Sequence, residues 1–143
     1  MRLALEQASL AADAGEVPVG AVLTNQAGEV LAGTHNLSET RKRPTAHAEM
    51  LAIEEACRKK GDWRLTDCTL YVTLEPCPMC MGALIHARIG RVVYGARDAR
   101  AGACGSVLNL TQYPLESTPE LTGDVLTEEC RSTLQRFFRK RRF

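Results

Sequence analysis

No stretch of this chain is apolar for long enough to span a bilayer. Its hydrophobic runs are short and interrupted, whereas a helical span needs roughly 20 consecutive apolar residues. Met1 to Ala14 carries Glu6 and Asp13 and lacks the apolar centre of a secretory signal, so a cytoplasmic protein without membrane partners is expected. Overall charge is nearly absent too, at +1, and by itself says nothing about partners. Internal repeats, linkers and low-complexity tracts are also missing, which leaves one domain over residues 1–143. What remains is globular composition: 45% hydrophobic and 24% charged residues argue against a disordered chain.

Charge is uneven along the sequence. Tyr113 to Cys130 holds five acidic residues and no basic one, and Arg131 to Phe143 holds six basic residues and no acidic one. The basic end could touch a polyanion. It could equally be a solvated helix with cations at its favourable C-terminal end. Six cysteines (Cys57, Cys68, Cys77, Cys80, Cys104 and Cys130) occur without an export signal. In a reducing compartment, metal binding or catalysis is then a better use for a cysteine pair than a disulfide.

Periodicity and punctuation predict a helix over 2–14 ended by Gly15, then strands over 19–24 and 29–35 joined as a hairpin by the Asn25–Gly28 turn. Residues 36–44 read as loop. Ala46 to Lys60 reads as a helix with Gly61 as its C-terminal cap, and Cys68 to Thr73 as a strand. Pro78 suits the first turn of a helix running to about Arg88. Arg91 to Tyr94 is a strand, 96–106 a glycine-bearing loop, and Thr127 to about Lys140 a final helix. A hairpin followed by alternating helices and strands implies an α/β domain with helices on both faces of a mixed sheet.

Two segments stand out. Pro44-Thr45-Ala46-His47-Ala48-Glu49 opens one helix, and Glu75-Pro76-Cys77-Pro78-Met79-Cys80 opens another after a strand. Neither is informative alone. Together they offer two cysteines three apart, on one helical face and at a helix start that favours thiolates, plus an imidazole. That soft and borderline set suits zinc. Residues two apart on a helix do not normally face each other. His47 and Glu49 can still converge, because side chains in a first turn lean back toward the N-terminal end. Glu49 is then placed to carry protons for water at the metal.

A closed structural zinc site would need a fourth ligand from His35, Cys57, Cys68, His86 or Cys104. None stands at a short paired spacing, so the ligand count favours an open, catalytic site. A redox Cys-x-x-Cys pair leaves His47 and Glu49 without a role.

H-x-E followed by P-C-x-x-C is the signature of the zinc deaminases. From about Met1 to Arg142 the chain resembles the bacterial tRNA-specific adenosine deaminases. The resemblance is densest in Val17-Pro18-Val19-Gly20-Ala21-Val22, Pro44 to Glu49, Leu70 to Cys77 and Ala83 to Asp98. It implies a three-layer α/β/α cytidine-deaminase-like fold with a mixed sheet of about five strands. It also implies zinc (Zn2+) held by His47, Cys77 and Cys80, and Glu49 as proton shuttle. Asn36 would hydrogen-bond the target base. Asp98, with Arg97 and Arg100, would lie against the RNA near the flipped nucleotide, and the Phe137-Phe138-Arg139 stretch would belong to a last helix that approaches it.

The implied activity is hydrolysis of adenosine to inosine at the wobble position of a tRNA anticodon, by a homodimer acting on the anticodon stem-loop. The chain departs from the family pattern at Leu115–Glu120, which is acidic where an Asn-His-Arg element is common. It departs also at Arg43, where some members carry an acid, and at Met81, where alanine is usual. The other readings are deamination of a free nucleobase or nucleoside of guanine or cytosine type, and a zinc-bearing RNA-binding subunit without activity. Inactive relatives typically lose the glutamate, and Glu49 is present. Asn36 capping a turn and Asp98 as an ordinary loop carboxylate are the alternatives at those positions. Phe137 and Phe138 are expected to pack partly against the core, and His35 and His86 not to bind metal.

Overall fold

The computed structural model describes residues 1–141. The chain runs α1 (Arg2–Asp13), β1 (Gly20–Thr24), β2 (Val30–His35), α2 (Ser38–Arg41), α3 (Ala48–Lys60) and β3 (Thr69–Leu74). It continues with α4 (Pro78–His86), β4 (Arg91–Ala96), a single 3₁₀ turn at Leu110–Gln112, β5 (Glu120–Thr122) and α5 (Thr127–Lys140). The expected single domain over 1–143 includes residues 142–143, which lie outside the described residues. Among the described residues no helix is long and apolar enough to cross a membrane.

Five strands form one mixed sheet in the order β2-β1-β3-β4-β5. The hairpin pairs antiparallel, with Gly20 opposite His35, and β1 also pairs antiparallel with β3, with Ala21 opposite Val72. From β3 outward the sheet is parallel: Leu70 pairs with Val92, and Val92 with Leu121. Helices α1 and α5 touch each other and cover β1 and β4 from one side, while α3 and α4 pack together, α3 against β1 and β2. The three-layer arrangement inferred from the resemblance is the one observed.

The central strands owe their place to composition. β4 buries five consecutive residues from Val92 to Ala96, and β1 buries Gly20 to Leu23. Such continuous burial fits strands covered on both faces. Helix α1 comes close because its inward face is Ala4, Ala8 and Ala11, all fully buried. Gly20 completes that approach: a Cβ there would overlap the Ala4 carbonyl and the Ala8 amide.

Topology also decides where chemistry can collect. Because β3 and β4 are parallel, their C-terminal ends, Leu74 and Ala96, lie side by side. The antiparallel hairpin brings the start of β1 and the end of β2 to the same edge. Segments leaving or entering at Val19, Asn36, Glu75 and Arg97 therefore meet at one rim of the sheet. Ligand sites in open α/β sheets form at the carboxyl ends of parallel strands for this reason.

Three short elements have no counterpart in the sequence-based expectations: α2, the 3₁₀ turn and β5. The loop expected over 36–44 contains the short helix α2, and β5 was given no location. α2 exists because the buried Glu16 carboxylate accepts from the Glu39 and Thr40 amides at 3.1 and 2.6 Å, which supplies its first turn with an acceptor. Element ends moved by one or two residues elsewhere. Helix α3 begins at Ala48 because His47 is extended (φ −73°, ψ 152°), and α4 ends at His86, two residues before Arg88 takes a left-handed φ of 63°.

Candidate active site

His47 is the N-cap of α3 and Cys77 the N-cap of α4, so the two helices point their N-termini at one spot. Pro78 holds the first helical position of α4, where its missing N–H costs nothing, and Cys80 follows within the first turn. His47 Nδ1 lies 3.7 Å from Cys77 Sγ and 3.5 Å from Cys80 Sγ. The three candidate ligand atoms fall within 4.8 Å of one another, and among the described residues this is the one such group of His, Cys, Asp or Glu. Neither His35 nor His86 takes part: His35 Nδ1 lies 2.8 Å from Gln7 Oε1, and His86 Nδ1 lies 3.7 Å from Glu116.

These spacings fit a tetrahedral zinc site. With Zn–S near 2.3 Å and Zn–N near 2.0–2.1 Å, two ligands on adjacent vertices are separated by about 3.5–3.8 Å. The donors' proton balance points the same way. Hydrogen bonds from Cys80 and from His47 hold the Cys77 thiol down to about 4, despite its partial burial. The Cys80 thiol is raised, first by its hydrogen bond to Cys77 and then by burial, and His47 is raised by its hydrogen bond to Cys77. Three groups crowd around shared protons, and a dication in that position would displace them. All six cysteines are free thiols.

Glu49 follows His47 by two residues and is only 4% exposed. Burial pushes its carboxyl up to about 7, against its own backbone amide and the charge of His47. It lines a cavity of about 220 Å³ together with Asn36, His47, Cys77 and Asp98, and the apolar walls include Val17, Val19 and Leu74. A separate groove of about 970 Å³ runs between α1 and α5, bordered by Leu5, Ser9, Ser132 and Phe137, and holds none of His47, Glu49, Cys77 and Cys80.

Asn36 sits where β2 ends and does two things at once. Its Oδ1 accepts from the Ser38 amide at 3.2 Å and hydroxyl at 2.9 Å, and its Nδ2 donates to the Val17 carbonyl at 3.4 Å. It therefore caps a turn and lines the cavity. Asp98 Oδ1 accepts from the amides of Arg100 and Ala101 at 2.9 and 3.2 Å. Arg97 and Arg100 belong to the same loop but do not line the cavity. Arg97 is exposed and donates to Asp124 through Nε and Nη2 at 3.1 and 2.9 Å, and Arg100 is exposed. Phe137 is half-buried beside the groove and Phe138 is 46% exposed, the two rings meeting edge to face; neither joins the hydrophobic core, against which both were expected to pack in part.

Sequence reasoning assigned no role to Glu16 or Glu75. Both are buried carboxylates, at 0% and 2% exposure. Glu75 directly follows the apolar strand β3, whereas Glu16 sits in the turn after α1, just before Val17. An acid at the end of a core strand was the available signal for Glu75.

The zinc-binding region of cytidine and deoxycytidylate deaminases, as a family pattern, matches residues 1–96. The tRNA-specific adenosine deaminase of Bacillus subtilis (strain 168) is 50% identical over 143 residues, covering 99% of this chain and 88% of its own length. That of Haemophilus influenzae is 48% identical, over 99% of this chain and 83% of its own. A chain solved in a study of A-to-I editing by tRNA:A34 deaminases at the wobble position superposes with a TM-score of 0.90. It is 40% identical, and the match covers 94% of this chain and 97% of that one.

Proposed function

The chain belongs to the zinc-binding cytidine and deoxycytidylate deaminase family, and from that premise we propose that it hydrolyses adenosine to inosine at the wobble position of a tRNA anticodon. It is a zinc-dependent deaminase. The tRNA substrate is supported by similarity to tRNA-specific adenosine deaminases along 99% of this chain and 83–88% of theirs. One observation carries the chemistry: a three-donor cluster with tetrahedral spacing beside a buried carboxylate, at the floor of a cavity sized for a single base. At about 220 Å³ the cavity is smaller than the roughly 300–1,000 Å³ of drug-sized pockets. A duplex cannot enter, and a base unstacked from a single-stranded loop can.

His47, Cys77 and Cys80 would hold the zinc ion. When bound, zinc supplies a Lewis acid that makes water a competent nucleophile near neutral pH. Glu49 takes the proton released from that water and hands it to N1 of the adenine as oxygen bonds to C6. Glu49 next takes the proton of the hydroxyl now on C6 and gives it to the amine, so that the C6–N bond breaks as the C6 carbonyl forms and adenosine plus water become inosine plus ammonia. Its burial beside the cluster supports this role, since a carboxyl that ionises near neutrality both accepts and gives protons readily. Asn36 contacts the base, and Asp98, Arg97 and Arg100 contact the RNA around it. One domain carries the whole site, and the active form is a cytoplasmic homodimer, a reading supported by the family resemblance and checked by sedimentation at micromolar concentration.

The experiment is incubation of zinc-loaded protein with an anticodon stem-loop bearing adenosine at the wobble position, and separately with free adenine, guanine and cytosine. Inosine and ammonia from the stem-loop alone are expected. Ammonia from a free base alone would assign the chain to small-molecule deamination. No product from any substrate would leave a non-enzymatic zinc protein.

A further inference from the structure

One buried acid on the wall of the cavity draws all its side-chain partners from a single loop. Glu75 leaves the end of β3 just before Pro76 and Cys77, and its amide donates to the Ala96 carbonyl at 2.8 Å, extending the β3–β4 pairing. Its carboxylate is 2% exposed, and no cation pairs with it among the described residues. Every donor it receives comes from residues 98–106. Oε1 accepts from the Asp98 amide at 3.1 Å and from the Ser106 hydroxyl. Oε2 accepts from the amides of Cys104 and Ser106 at 2.9 and 3.2 Å. A carboxylate offers about four lone-pair sites, and these four donors use them. Glu75 therefore has no acceptor left for a substrate, even though it borders the cavity.

The loop is shaped around this anion. A Cβ on Gly102 would overlap the Glu75 carboxylate, so glycine permits the wrap. The Ala103 amide donates to the Pro76 carbonyl at 2.8 Å, tying the loop to the backbone of the Cys77 segment. Within the loop, Asp98 accepts from the Arg100 and Ala101 amides, and Asp98 and Ala101 supply one side of the cavity. The metal-side motif and the substrate-side loop are thus joined through one side chain.

We propose that Glu75 is a positioning residue for substrate, holding the 98–106 loop so that Asp98 meets the RNA at a fixed distance from the His47–Cys77–Cys80 cluster. The inference rests on the proposed tRNA reading for its substrate. It assigns Glu75 an effect on substrate affinity delivered through Asp98, separate from metal binding and from proton transfer.

Steady-state kinetics on the anticodon stem-loop test it, with Glu75→Gln, Gly102→Ala and Ser106→Ala in the zinc-loaded 143-residue chain. The amide of Glu75→Gln must present N–H groups to backbone N–H donors, so KM is expected to rise by roughly tenfold or more while kcat changes less than about threefold and zinc content stays at the wild-type level. Gly102→Ala should resemble it, and Ser106→Ala, which removes one donor, should raise KM by a smaller factor. In an Asp98→Ala background, Glu75→Gln should add little further to KM, because both act through one contact. Amide exchange at Asp98, Cys104 and Ser106 should accelerate in Glu75→Gln even without RNA. An unchanged KM in folded, zinc-loaded variants overturns the proposal, as does a KM effect fully additive with Asp98→Ala. Should Glu75→Gln fail to fold, Gly102→Ala and Ser106→Ala decide the matter by the same criteria. An inactive wild-type protein would refute the tRNA reading instead, while the exchange experiment still reports on the loop.

Discussion

Glu49 and Cys80 sit within one site yet should fail in different ways. Glu49→Gln keeps the shape of the side chain but cannot carry a proton. We expect stoichiometric zinc and a loss of inosine formation of roughly 10²–10⁴-fold, the usual range for one general acid–base group, read by metal analysis beside product formation. Normal turnover by that variant would remove Glu49 from its role. Cys80→Ala removes a donor that is fully buried, so zinc content should fall towards zero and the melting temperature should fall with it, because metal affinity is also folding energy. Zinc retained at the wild-type level would exclude Cys80 as a ligand. Away from the site, Gly20→Ala should destabilise by about 1–3 kcal/mol in urea denaturation, the cost of forcing a methyl group into closed packing. The Cβ has no open side, since it meets the Ala4 carbonyl, the Ala8 amide and the Gln7 side chain. At this scale the motif residues were legible from type and spacing. Gly20 falls in one of the resembling stretches, but its reason, a helix lying on the strand, is not written in neighbouring residues.

Short elements show where local reading stops. Helices α1, α3, α4 and α5 and strands β1 to β4 carry their own periodicity and punctuation, and their ends came within one or two residues of expectation. α2 and β5 do not. A four-residue helix has too little pattern of its own, and β5 exists because β4 offers it an edge. α2 depends on Glu16, which lies 22 residues upstream of its first residue, Ser38. Burial pushes the Glu16 carboxyl up, but donors from Thr40 and Glu39 outweigh that and hold it below its ordinary value. A depressed folded-state pKa means stability that is present above the ordinary carboxylate range and lost as pH falls through the lowered value. Urea midpoints measured from neutral into acid conditions should therefore drop less steeply for Glu16→Gln than for the wild type, from a lower starting point at neutral pH. Equal slopes would detach Glu16 from the acid sensitivity of the fold.

Across the whole molecule, charge and topology act together. The acidic run over 113–130 is spread through the last loop, β5 and the start of α5, whereas the basic run continues along α5 with Arg136, Arg139 and Lys140 exposed. Arg141, itself exposed, donates to the Gly15 carbonyl at 3.1 Å and lies over the Phe137 ring, so it serves the fold. An RNA substrate should feel the exposed cations through counterion release. Arg139→Ala with Lys140→Ala should weaken stem-loop binding in low salt and reduce the slope of log affinity against log salt by about 1.4, at roughly 0.7 per single-strand phosphate contact. A slope equal to that of the wild type would place α5 outside the RNA interface.

Sequence alone marked out the candidate donors, the candidate proton carrier and the run of long elements, because each is a matter of residue type at short spacing, and short spacing survives in any fold. Tertiary structure decided the rest. Bringing His47 to Cys77 across 30 positions, gathering the ends of β2 and β4 at one rim so that Asn36 and Asp98 share a cavity, and sinking Glu75 as the anchor of the loop that carries Asp98 all depend on which strands pair and in which direction. Pairing is settled by burial summed over the whole sheet, and no local window of residues contains that sum.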